Sequence, residues 1–177
     1  LPSWELRLQV EMQEYRYAGQ KVRGLNPIAI GSKIAVCKEE GLRPEIAFIG
    51  HITLPYVGKE EFRPEFIAPD FRFSASHTLA ENLALGYNLG LEWDGTSALS
   101  TGIYTLVLGA DIFSDVGMFV ELFGEFPELG SSSHNIHSGF TWSPFSDLQF
   151  DTSLALGLNE AAPDYIAGAG ISFRFSH

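Results

Sequence analysis

The sequence predicts an all-β chain, an antiparallel up-and-down transmembrane β-barrel of about ten strands. Three observations lead there: apolar residues recur at every second position, the alternation runs in segments of about ten residues, and the intervening face is small or polar with few charges. Hydrophobic residues make up 45% of the 177 and charged residues only 19%, below the roughly 25% usual for a soluble domain.

Taken in chain order, the first segment sets Trp4, Leu6, Leu8, Val10 and Met12 on one face and Glu5, Arg7, Gln9, Glu11 and Gln13 on the other. The second carries Ile28, Ile30, Ile34 and Val36, and the third Ile46, Phe48, Ile52, Leu54 and Tyr56. The fourth places Ile67, Phe71, Phe73 and Leu79 opposite Asp70, Arg72, Ser74 and Ser76. Its Pro69 marks a strand start or irregular pairing, because proline cannot donate to a ladder. In the fifth, Leu83, Leu85, Tyr87, Leu89, Leu91 and Trp93 alternate with Asn82, Ala84, Gly86, Asn88, Gly90 and Glu92. The sixth shows Tyr104, Leu106, Leu108, Ala110 and Ile112, and the seventh Met118, Val120 and Leu122, where Phe119 and Phe123 leave the facing open. The eighth has Ile136, Phe140 and Trp142, the ninth Leu148, Phe150, Leu154, Leu156 and Leu158, and the tenth Tyr165, Ala167, Ala169, Ile171, Phe173 and Phe175.

Alternation alone also describes a soluble sandwich. The other face decides: Gly, Ala, Ser and Asn make a poor coat against water but suit the inside of a narrow barrel. About five large apolar residues on each of about ten strands are too many for that interior, so they are expected to point outward, toward lipid. Trp4, Tyr56, Trp93, Trp142, Tyr165 and Phe175 stand near segment ends, where an aromatic girdle belongs. Connections alternate: those around 17–27, 58–65, 94–97, 127–133 and 159–164 are longer than those around 39–42, 80–81, 114–115 and 143–147. Outer-membrane barrels pair short periplasmic turns with longer outside loops.

Other classes recede. No stretch nears the 18 to 20 uninterrupted apolar residues of a spanning helix. Net charge is −11, so a phosphate backbone is not an expected partner. Cys37 is alone and forms no intrachain disulfide. One domain, 1–177, is expected; the sequence starts at Leu1 without a basic-then-apolar leader, so an export signal and an amino-terminal part are expected to lie outside it.

The closing third, with Gly139-Phe140-Thr141-Trp142-Ser143-Pro144, Leu148-Gln149-Phe150-Asp151 and Gly168 through Gly170-Ile171-Ser172-Phe173-Arg174-Phe175, resembles the outer-membrane transporter family associated with phenol meta-cleavage pathways. Glu5-Leu6-Arg7-Leu8 is similar to that family's first barrel segment. The resemblance implies a barrel of about twelve strands in the full-length protein, an outer-membrane location and transport, with no catalytic residue. Outer-membrane barrels often end on an aromatic; Phe175 is followed here by Ser176 and His177.

Candidate site residues are the charges of the polar face. Glu121 and Glu125 share one strand face, Asp151 and Arg174 lie on strands that could be near, and Asp70 with Arg72 could pair across strands. Together they suit either a charged constriction or a hydrogen-bonded plug. His134 and His137 differ in parity, His51 and His77 are remote in sequence, and no metal site is expected. No nucleophile with a base and an orienting group is visible, so no enzyme and no cofactor are expected. Glycines such as Gly102, Gly109 and Gly117 follow strand spacing and form no phosphate loop.

The leading expectation is a passive channel for small hydrophobic or aromatic solutes. The alternatives are a structural barrel that joins other envelope proteins, and a soluble lipocalin-like binding barrel. Membrane lipid is the expected neighbour in the first two.

Overall fold

A computed structural model describes residues 3–17 and 20–174. Ten antiparallel strands form one sheet, ordered β1-β4-β5-β6-β7-β8-β9-β10-β11-β12. They are β1 Trp4–Gln9, β4 Ala29–Cys37, β5 Glu45–Thr53, β6 Ala68–Ala80, β7 Leu83–Trp93, β8 Ser100–Asp111, β9 Val116–Pro127, β10 Ser133–Phe145, β11 Leu148–Gly157 and β12 Tyr165–Phe173. Each matches one of the ten alternating segments, and β6 begins beside Pro69 as proline requires. Apart from one turn of 3-10 helix at Glu60–Phe62, no helix occurs among the described residues.

Two further strands, β2 Met12–Tyr17 and β3 Gln20–Leu25, pair only with each other and prolong β1 and β4 beyond the sheet. The Asn26 N–H donates to Glu11 O at 2.8 Å, so ribbon and sheet are continuous. The connection expected around 17–27 is therefore largely strand. Its charges hid it: Glu14 and Lys21 form an ion pair at 2.7 Å on a ribbon without a sustained apolar face. Among the described residues there are thus twelve strand segments, ten of them in the main sheet, the number read from the alternation.

Every link joins sheet neighbours, so the connections fall alternately at two ends. At one end they are 38–44, 81–82, 112–115 and 146–147; at the other 54–67, 94–99, 128–132 and 158–164. Three connections at the first end are shorter than any at the second, as expected from the sequence, but 38–44, expected to be tight, is as long as 158–164. Among the described residues β1 and β12 each pair with one neighbour, β4 and β11.

Register turns the period of two into rows that cross the whole sheet. Ile46, Ala75, Tyr87, Leu106, Leu122, Ile136, Leu156 and Tyr165 form one such row over eight strands. Leu89 is 65% exposed, Leu154 48% and Leu156 49%. Met118, Val120 and Leu122 join this face, which settles β9 and puts Phe119 and Phe123 on the other.

No Asp, Glu, Lys or Arg of the sheet strands lies on the apolar face. Arg7, Lys33 and Arg72, with Glu5, Glu45, Asp70, Glu92, Asp111, Glu121, Glu125 and Asp151, all share the parity of the opposite one. Among the described residues the buried hydrophobic side chains are those of four alanines, Ala29, Ala47, Ala68 and Ala155. No large side chain among the described residues is fully buried. Accessible surface totals 12409 Å², against about 8,500 Å² expected of a compact soluble monomer of this mass. The apolar face therefore stands uncovered by the other described residues.

Candidate functional site

The polar face gathers its charges at the long-connection half of β5 to β9. His51 on β5 faces Asp70 on β6 in register, and β6 brings Arg72 two residues on to the same side. His51 Nδ1 lies 3.2 Å from Asp70 Oδ1, and Arg72 Nη2 donates to the same oxygen at 3.4 Å. Asp70 and Arg72 thus pair with each other, while the cross-strand partner of Asp70 is a histidine. The His51 side chain is only 5% exposed, because Gly31 opposite it offers no Cβ to compete for the space.

Beside them Glu92 on β7 pairs in register with Asp70, and Arg72 faces Gly90, which leaves room over the sheet. Glu125 on β9 shares the Arg72 row through Gly90 and Ile103. Arg72, Asn88, Glu92, Ile103, Thr105, Phe123 and Glu125 line a hollow of about 160 Å³. Within it Asn88 Nδ2 donates to Thr105 Oγ1 at 2.6 Å. Glu92 is half-buried and Glu125 exposed at its edge, and Arg72 Nε is buried without an acceptor.

Glu121, four residues before Glu125, belongs to a second group. His137 Nδ1 sits 2.8 Å from Glu121 Oε2, and the rings of Phe119 and Phe123 meet the imidazole edge-on at 4.9 and 5.8 Å. Asp151 lies toward the short-connection end, its carboxylate over Gly170 on β12. Arg174 follows β12 at that same end, its backbone N–H donating to Asp147 O at 2.8 Å. Asp151 shares its row with Thr141 and Gly117, and β10 and β11 stand between β9 and β12, so neither Asp151 nor Arg174 joins Glu121 or Glu125.

His134 and His137 face opposite sides, as their parity requires. His134 Nδ1 is 3.0 Å from Tyr104 Oη on the apolar face, with Phe126 beside both. His77 is also on that face, 3.4 Å from Tyr87 Oη. Among the described residues no group of three His, Cys, Asp or Glu is placed to hold a metal.

The aromatic residues expected at segment ends divide between the two ends of the sheet. Trp4 and Trp142 stand at the short-connection end, where Trp142 Nε1 donates to Asp115 Oδ2 at 3.1 Å and the indole stacks on Phe150. Tyr56, Trp93 and Tyr165 stand at the long-connection end, Trp93 against Phe71. Phe175 lies outside the described residues. Tyr104, Phe126 and His134 extend the long-connection band; their shared parity was visible in the sequence, but their meeting depends on register.

The family model described as "Putative MetA-pathway of phenol degradation" matches residues 1–175. A search of curated proteins finds no significant match.

Proposed function

The chain belongs to that phenol-degradation family, and from this premise we propose that it is an outer-membrane β-barrel forming a passive channel for small hydrophobic or aromatic solutes. The observation that carries the reading is the division of the sheet: one face bears no strand Asp, Glu, Lys or Arg and is left uncovered by the other described residues, while all those charges lie on the other. Water would meet an apolar surface far beyond the few hundred Å² that soluble monomers expose, whereas acyl chains accept it without penalty. Closure follows, because an open edge at β1 and β12 would leave backbone groups unpaired in hydrocarbon at several kcal/mol each.

Lengths agree. The strands from β4 to β12 run from nine to thirteen residues, and a tilted strand crosses the hydrocarbon in about nine to eleven. Aromatic bands at both ends fit the two interfaces. The soluble binding barrel requires a packed apolar interior, and four buried alanines do not supply one. In that channel the charges of β5 to β9 line the lumen.

Refolding from urea into detergent, followed by electrophoresis with and without heating, tests the barrel, and swelling of protein-bearing liposomes in phenol tests the channel. A detergent-dependent fold that migrates differently unheated, with phenol entry above that of empty liposomes, is expected. A monodisperse native protein in buffer alone would sink the reading; a folded barrel in sealed liposomes would leave a structural barrel.

A further inference from the structure

Resting on the channel reading, we propose that the lumen is cation-selective, with Glu92 and Glu125 as its filter, so that small monovalent cations cross ahead of anions of the same size. Charge balance is the first argument. On the polar face of the sheet strands eight carboxylates stand against three basic side chains. Each of the three is answered on the spot: Arg7 lies 3.7 Å from Glu5, Lys33 faces Glu5 in register, and Arg72 is tied to Asp70. The surplus is therefore anionic. Both mouths share that sign, with seven acids to two bases in the long connections and five to two in the others.

Side-chain size places the filter. Toward the short-connection end, the polar-face row of Thr78, Ala84, Gly109, Gly139, Ser153 and Gly168 is small, interrupted only by Phe119. A Cβ added at Gly109 would meet nothing within 4 Å. Toward the long-connection end, the row from β4 to β9 runs through Lys33, Ile49, Arg72, Ile103 and Glu125, with Gly90 its one small member. Long side chains narrow a barrel of this class at that level, and Glu92 and Glu125 border the hollow there. A narrow passage between low-dielectric walls concentrates the field of the charges that line it. Among the described residues no three ligands converge on a metal, so the preference comes from the field, without the tight binding that would stall conduction.

The test is the reversal potential of the refolded protein in planar bilayers under a potassium chloride gradient. Potassium should permeate about tenfold better than chloride in dilute salt. That preference should shrink as the screening length falls from about 10 Å at 0.1 M to about 3 Å at 1 M. Glu92→Gln combined with Glu125→Gln should lower the ratio about threefold. Glu81→Gln should leave it unchanged, since Glu81 lies roughly 30 Å from Glu92 along β7, beyond the reach of screened charge. A thiol placed by Thr105→Cys in a Cys37→Ser chain reads the same field without any flux. A trimethylammonium methanethiosulfonate should label it about tenfold faster than the sulfonate reagent, relative to a free small thiol. Equal permeation of the two ions together with equal labelling would overturn the selectivity and leave the channel standing. Absent current with charge-selective labelling would sink transport and keep the field. A thiol that neither reagent reaches until the protein unfolds would overturn both.

Discussion

At Gly31 the main chain of β4 passes so close to His51 that an added Cβ would run into the imidazole ring. We expect Gly31→Ala to displace His51 from Asp70 and lower stability by about 1–3 kcal/mol, the usual penalty of overpacking; urea titration in detergent reads it. Two carboxylates outside the strands make stability depend on pH. The Thr96 backbone N–H at 2.7 Å, followed by the Thr96 hydroxyl, holds Asp94 below its ordinary value. The Thr78 hydroxyl and then its N–H, both at 2.8 Å, do the same for Glu39. A folded value below the unfolded one means the stabilisation is complete above the unfolded values, near pH 4, and is lost as pH falls through the folded ones. Thermal midpoints in detergent should fall below about pH 4, and Asp94→Asn should flatten that decline; an unchanged slope would exclude Asp94 as a contributor. Of this detail the sequence shows only part. The parity of Asp70 and Arg72 is plain, but the match of His51 to Asp70, and of Glu92 to both, needs register, which turns and bulges such as Thr78/Ala80 set.

Among elements, the ten sheet strands were legible because each presents a half-apolar surface, and the period of two survives any error at its ends. β2 and β3 were not, since a ribbon that stands clear of the sheet is under no demand to alternate. That independence is testable. Their ladder pairs only with itself, and the sheet-side contact from Asn26 N–H to Glu11 O lies at its base. Replacing residues 13–24 by a short turn should leave the unheated electrophoretic form and the far-ultraviolet β spectrum intact, because shortening a projecting ribbon changes closure entropy by little. Loss of the compact form would show that the ribbon supports the sheet. β9 teaches the converse: Phe119 and Phe123 blur its apolar pattern because they serve as edge partners to His137 on the polar face.

For the whole molecule, the question is which solvent the apolar face was selected for, and one pair of adjacent residues can decide it. Leu106 and Thr105 are neighbours near the middle of β8, paired to Leu122 and Phe123 across β9, and they face opposite ways. In water an arginine at Leu106 would be harmless or even stabilising, since the side chain it replaces is already 44% exposed. In a bilayer the same arginine sits near the midplane and costs about 2–4 kcal/mol. Thr105→Arg, on the polar face, carries no such penalty from lipid and instead crowds the hollow beside Phe123. Folding free energies measured by denaturant titration into lipid vesicles should therefore rank Leu106→Arg well below both the unaltered protein and Leu106→Ala. Phenol entry, by contrast, should respond to Thr105→Arg. A Leu106→Arg protein that folds into vesicles as readily as its parent would mean that this face does not meet acyl chains, whatever its composition.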